Sequence, residues 1–233
     1  MRKGIFRYFT RGEFTLWGVS VLLITAAFLV FDRKDVLTLC ASLVGITSLI
    51  FNAKGNPIGQ LLIVLFSILY GIISYRSAYY GEMITYLGMT APIAVAAFIS
   101  WVRNPYHGNH SEVAINRISA REWTIMAVAS VAVTVAFYFI LDAFDTKNML
   151  PSTLSVCTSF AAVYLTARRS AYFAAAYAAN DVVLIVLWSL AAKSDSGCVS
   201  VIVCFALFLI SDLYGFVCWQ RRLRLQDLDS LNS

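Results

Sequence analysis

Eight almost unbroken apolar stretches alternate along the chain with short polar breaks, at about 14–31, 36–51, 58–75, 79–102, 122–141, 150–166, 171–191 and 197–219. At about 1.5 Å of rise per residue, such runs reach roughly 30 Å, the thickness of a bilayer's hydrocarbon core. The pattern predicts an all-α integral membrane protein with eight transmembrane helices. The breaks are brief (DRKD, NAKGN, ARRS) apart from residues 103–121, which contain Asn104-Pro105 and Gly108. The tail of that loop, SEVAINRISARE, is expected to form a short surface helix.

The run at 171–191, AYFAAAYAANDVVLIVLWSLA, carries a carboxylate in its middle. Asp181, beside Asn180, sits where a lone Asp costs about 2.5–3.5 kcal/mol to insert. On a helix, Tyr177, Asn180, Asp181, Leu184 and Trp188 share one face. That face reads as one wall of a solute site, with a polar clamp between helices as the alternative. Asp212 is the second intramembrane acid, on one face with Phe205 and Phe208. It lies near enough to a span end for a structural role. The first half of the chain offers Gln60, Ser67, Tyr70 and Ser74 on one helix, then Met83, Tyr86, Met89 and Thr90 on the next.

Composition sharpens the class. Of 233 residues, 60% are hydrophobic and 13% charged, against about a quarter charged in ordinary globules. The net charge of +5 invites a nucleic-acid reading, but no basic aromatic module or Gly-rich phosphate loop accompanies it. The charges instead mark sidedness. One side carries thirteen cations: Arg2, Lys3, Arg7, Arg11, Lys54, Arg103, Arg117, Arg121, Arg168, Arg169, Arg221, Arg222 and Arg224. The other has five: Arg33, Lys34, Arg76, Lys147 and Lys193. The positive-inside rule puts both termini in the cytoplasm, and the first run is read as a retained span, not a signal peptide.

An internal repeat follows. FNAKGN (51–56) aligns with LTARRS (165–170) at an offset of 114, and AFISWVRN (97–104) with GFVCWQRR (215–222) at 118. A four-residue insertion in the second unit accounts for the change. Two three-helix units, 36–102 and 149–219, are then joined by a linker helix at 122–141. That is a 3+1+3 parallel repeat of the SWEET type, with substrate held between the units. The helix at 14–31 is left outside it, with tails at 1–13 and 220–233. In this register Ser67 matches Asp181, Phe66 matches Asn180 and Ala94 matches Asp212.

Other residues have plainer readings. Trp17, Trp101, Trp123 and Trp219 stand at span ends as interfacial belt residues, and Tyr75, Tyr79 and Tyr80 as anchors at the other interface. Trp188 serves either a belt or a ring-stacking role. Gly45, Gly59, Gly71 and Gly88 permit close helix packing. His107 and His110, without Cys or further His partners, read as a solvated loop and not a metal pair. The five cysteines show no CxxC spacing and read as reduced packing residues.

The stretches GNPIGQ (55–60), ILYGIISY (68–75), YYGEM (79–83), AYAANDVVLIVLW (176–188) and SDLYGFVCW (211–219) together resemble the PnuC-type vitamin transporters. The likeness runs from about 36 to 222. It implies the SWEET-like fold, a homotrimer in the inner (cytoplasmic) membrane, and facilitated diffusion of nicotinamide riboside, trapped by a cytoplasmic kinase. Relatives carry thiamine or riboflavin. The family pattern of a polar residue seven before each unit's closing Trp is met by Asp212 and not by Ala94. The central Asn is met by Asn180 and not by Phe66.

The chemistry agrees. Nicotinamide riboside is a flat pyridinium cation with a carboxamide and ribose hydroxyls. Aromatic faces attract such a cation by about 0.5–2 kcal/mol, Asp181 or Asp212 offsets its charge, and Asn180 or Gln60 pairs with the carboxamide. Thiamine is an aromatic cation too; riboflavin is neutral. The expected substrate contacts are Gln60, Ser67, Tyr70, Tyr86, Tyr177, Asn180, Asp181, Trp188 and Asp212, with no catalytic group, cofactor or metal. A proton-coupled carrier using Asp181 is the mechanistic rival. An intramembrane enzyme would need a nucleophile, base or metal cluster that is not in view, and a scaffold has no need of two buried acids.

Overall fold

The computed structural model describes residues 8–232, with side chains as far as Asp229. Arg2, Lys3 and Arg7, counted in the charge asymmetry, lie outside the described residues. Eight helices among the described residues are long and apolar enough to cross a membrane. They are α1 (Arg11–Phe31), α2 (Val36–Ala53), α3 (Ile58–Arg76), α4 (Tyr80–Arg103), α5 (Ala120–Ala143), α6 (Met149–Ala167), α7 (Phe173–Ala191) and α8 (Cys198–Asn232). An even count leaves both ends of the chain on one face, called here the termini face.

Two helices begin with the same device. Thr10 caps α1 and receives the N–H of Glu13, whose carboxylate takes the N–H of Thr10; Ser119 and Glu122 repeat this at α5. Such reciprocal caps satisfy donors that lipid cannot. Each glutamate also binds the basic residue of the turn after the following helix. Glu13 pairs with Lys54 at 2.9 Å, and Glu122 with Arg168. Lys54 and Arg168 are 114 positions apart, the repeat offset. The helix at 14–31, expected to stand outside the repeat, thus enters its half of the molecule as the linker helix enters the other.

Packing has the same cross-symmetry. Within each half the helices pack in sequence, α2 on α3 on α4 and α6 on α7 on α8. Between halves, α2 lies against α8, and α4 against α6. The first helix of each unit therefore meets the last helix of the other. Helices α1 and α5 stay outside, with only 22% and 11% of their apolar windows buried, against 56% for α2. Gly45, Gly59 and Gly71 sit where a side chain would collide with Phe208, Asn52 and Leu87 respectively. Gly88 meets only Ile84 within 4 Å, so close packing does not explain it.

The surface helix expected over 111–122 is absent until Ala120. Pro105–Tyr106 pairs instead with Asn109–Val113 as an antiparallel hairpin, turned at His107 and Gly108, both with positive φ. A helix would have used its own N–H groups. Here Val113 N–H donates to the Gly55 carbonyl and Asn116 N–H to that of Arg169, each at 3.0 Å. Gly55 and Arg169 are again 114 apart, and both have positive φ. The segment expected as a C-terminal tail is also corrected, since α8 runs on to Asn232 and the hairpin docks on it. Gln226 bonds both the N–H of Ile115 and the carbonyl of Val113, Arg117 pairs with Asp227, and Tyr106 donates to Asp229 at 2.6 Å. That last bond is the main cause pushing the Tyr106 phenol up to about 12.

The cysteines are free, with Cys198 and Cys204 buried but Cys40 exposed, so packing does not account for all of them. His107 and His110 are exposed on the hairpin.

Of the two cap ion pairs, Glu13–Lys54 is almost fully buried and Glu122–Arg168 is largely open. Lys54→Ala should therefore cost about 3–5 kcal/mol and Arg168→Ala no more than about 1 kcal/mol. Thermal unfolding of the two variants in one detergent checks the order.

Candidate functional site

The site is built on the buried stripe of α7. Asn180, Asp181, Leu184 and Trp188 are all buried on it, and Tyr177 is half-buried. Asn180 faces α6, where its Oδ1 accepts from Thr158 Oγ1 at 2.8 Å and Ser159 Oγ at 3.0 Å. The Tyr86 hydroxyl reaches the same side chain from α4. Asp181 is directed toward α8, with the Asp212 carboxyl as its neighbour and Tyr177 close to both. Asn180 serves as a clamp between α6 and α7; Asp181 meets the Asp212 carboxyl of α8, and its Oδ2 is left buried without a partner.

Rings close the molecule on the face opposite the termini. Trp188 Nε1 donates to the Tyr70 hydroxyl at 2.7 Å. Tyr70 in turn packs against Tyr86, Phe66 and Phe205 at centroid distances of 4.4, 5.5 and 5.4 Å. Tyr79 lies over Trp188 at 5.3 Å, donates to the Leu187 carbonyl and accepts from Asn148. Trp188 and Tyr79 are 1% and 2% exposed, which removes the belt reading of one and the anchor reading of the other. Tyr75 remains at the surface, 60% exposed.

The termini face is closed by a second ring layer. Trp101 and Trp219 stand 5.3 Å apart and Phe173 lies 4.7 Å from Trp219. Their bonds are crossed: Trp101 donates to the Thr166 carbonyl at 3.0 Å, and Trp219 to that of Asn52 at 2.8 Å. Each closing Trp thus holds the other unit's first helix, at positions (52 and 166) that match in the repeat. Both are essentially buried, so neither is a belt residue as expected; Trp123 stays at the surface and Trp17 bonds Thr47. Gln60 belongs to this layer, donating to Asn52 Oδ1 at 2.9 Å. Ten residues of α3 separate it from Tyr70, about 15 Å, so it is not gathered with the other expected contacts.

A π-helical turn over Thr85–Thr90 re-aims the middle of α4. Its cause is local. Pro92 has no N–H and its ring crowds the carbonyl four residues back, so the Ala91 N–H bonds Tyr86 O, five residues back. Such turns gather at functional sites, and this one brings Tyr86 and Met89 inward, both buried.

On the buried faces of α3, α4, α7 and α8 several polar atoms lack partners. The Ser67, Ser74, Thr85, Thr90 and Ser211 hydroxyls, Asp181 Oδ2 and Glu82 Oε2 are all buried without a hydrogen bond. Each such group costs roughly 1–3 kcal/mol, and lipid offers no relief. Glu82 was missed by the sequence reading, which placed both intramembrane acids in the second half. It is fully buried, with Oε1 accepting from Ser155 at 2.6 Å. The available signal was its spacing, four before Tyr86 and so on the same helix face. Among the described residues no group of three His, Cys, Asp or Glu is placed to hold a metal.

Comparison with known proteins decides the family. The family model described as nicotinamide mononucleotide transporter matches residues 35–221. The chain belongs to this family. A curated relative from Neisseria mucosa, named nicotinamide riboside transporter PnuC, is 25% identical over 224 residues, covering 94% of this chain and 85% of the relative. A solved structure described as the vitamin B3 transporter PnuC superposes with a TM-score of 0.82 at 22% identity, covering 94% of each chain. That likeness carries the fold. The family is one of transporters, and the chain is a multi-pass membrane transporter, not an enzyme.

If the crossed tryptophan bonds hold the termini face shut, Trp219→Phe should lower stability by about 1–3 kcal/mol through the stranded Asn52 carbonyl. Trp101→Phe should do the same through Thr166. Unchanged melting of both variants would show that ring packing alone closes that end.

Proposed function

We propose that the chain carries nicotinamide riboside across the cytoplasmic membrane by facilitated diffusion, with both termini in the cytoplasm. The observation that carries this reading is the buried Asp181–Asp212 pair, which leaves Asp181 Oδ2 without a partner between the two ring layers. A pyridinium fits such a place because aromatic faces and carboxylates both attract a flat cation. Ser67, Tyr70, Tyr86, Tyr177, Asn180, Asp181, Trp188 and Asp212 are the proposed contacts, and Gln60 acts at the termini-side closure. The name of the Neisseria mucosa relative supports the same substrate.

Alternating access is the mechanism we infer. Both closures join one half to the other, Trp101 and Trp219 on the termini face, Tyr70–Trp188 and Tyr79–Leu187 on the opposite face. Opening one set while keeping the other lets the halves rock about the α7 stripe. Net uptake then follows from phosphorylation of the entering nucleoside by a cytoplasmic kinase, and the homotrimer rests on the family resemblance. Thiamine, the other aromatic cation, is the second substrate reading.

Titration of the purified protein should give the tightest binding for nicotinamide riboside, weaker for thiamine and weakest for riboflavin. Asp181→Asn should weaken the first by about tenfold, one screened charge contact, with melting unchanged. Equal loss of binding and stability would return Asp181 to a structural role. In liposomes, uptake should be indifferent to an imposed proton gradient; strong acceleration by an inward gradient would replace facilitation with proton coupling.

A further inference from the structure

Glu82 is the one acid of the membrane interior that the site as expected does not use. It is 0% exposed, two residues into α4 on the face opposite the termini, in the half whose aligned positions carry no acid. Ser155 of α6 holds its Oε1, and Oε2 has no hydrogen-bond partner. No ion pair to it exists among the described residues. Protonation does not resolve the mismatch: an ionised oxygen there lacks a donor, and a protonated one lacks an acceptor. Its surroundings are aromatic, with Tyr70, Tyr79 and Tyr86 close enough to feel its charge. Asp181 also acts on Tyr86, so two carboxyls contributed by different halves lie within electrostatic reach of that ring.

We propose that Glu82 sets the charge selectivity of the carrier. Its free oxygen faces the positive ring of the guest from the side opposite the termini, while Asp181 faces it from the other half, with Tyr86 within reach of both. The proposal rests on the cationic-substrate reading above. It gives the first half of the molecule a recognition role that its Ser67, Phe66 and Ala94 do not supply. A clamp between α4 and α6 through Ser155 is the structural alternative, and Glu82→Gln separates the two. The amide oxygen still accepts from Ser155, while the charge is gone.

The test measures binding to the full chain in detergent by wild type, Glu82→Gln and Ser155→Ala. The probes are nicotinamide riboside and its uncharged 1,4-dihydro form, and melting is followed in parallel. Glu82→Gln should lose about tenfold in affinity for the cation, keep its affinity for the neutral form and keep the wild-type melting temperature. Ser155→Ala should retain the preference for the cation. Equal loss for both probes in Glu82→Gln, or no loss for either, overturns the proposal while leaving the substrate reading intact. A collapse of preference in Ser155→Ala to the same extent also overturns it, because the clamp then explains both variants. A wild type that binds neither probe overturns the substrate reading, and the proposal with it.

Discussion

A hydrocarbon slab offers no partner to a polar atom, and the molecule is shaped by how its own groups meet that demand. Helix starts are satisfied by reciprocal caps at Thr10–Glu13 and Ser119–Glu122, and helix ends by turns in which Gly55 and Arg169 adopt positive φ. The indole N–H groups of Trp101 and Trp219 are spent on the other half's carbonyls. After that accounting some polar atoms are left over, at Ser20, Ser130 and Thr134 on the outer helices α1 and α5, and in greater number on α3, α4, α7 and α8. A closed carrier must hold some such surplus, since groups that will grip a guest cannot also be fully committed to each other.

Most of the fold was legible because hydrophobic run length is a strong signal, and the observed helices begin and end within a few residues of the apolar segments, apart from α8, which runs on to Asn232. The α7 stripe was legible for the same reason: helical spacing put Asn180, Asp181 and Trp188 on one face, and all three are buried there. Depth within the bundle was not legible. A tryptophan near a span end looks alike in sequence whether it faces lipid or a neighbouring helix. Trp101 and Trp219 face helices because the first and last helices of opposite units cross there. The hairpin was misread as a helix for a related reason. Its N–H groups are claimed by Gly55 and Arg169, residues roughly fifty positions distant that no local pattern reveals. Glu82 hid inside an apolar run, where a single acid barely disturbs the hydropathy.

The two halves are alike in scaffold and unlike in chemistry. Caps, ion pairs, turn conformations and indole bonds recur at matched positions, while the carboxylates do not. Asp181 and Asp212 stand opposite Ser67 and Ala94, and Glu82 has no acidic counterpart. Under the proposed alternating access, shared architecture would keep the closures equivalent enough to exchange, and divergent side chains would let the interior recognise a guest that has no symmetry of its own.

The hairpin between the halves has a mechanical meaning. Residues 113 and 116 are tied by their backbones to matched turns of both halves, and Gln226 ties the same strand to α8. Any parting of the halves at that face must stretch or release this tether. If the halves part as proposed, its stiffness would set how often the door swings, without altering what the interior prefers to hold. Sequence drift in a short extramembrane loop would then retune turnover in one relative against another, leaving the lipid-embedded interior untouched.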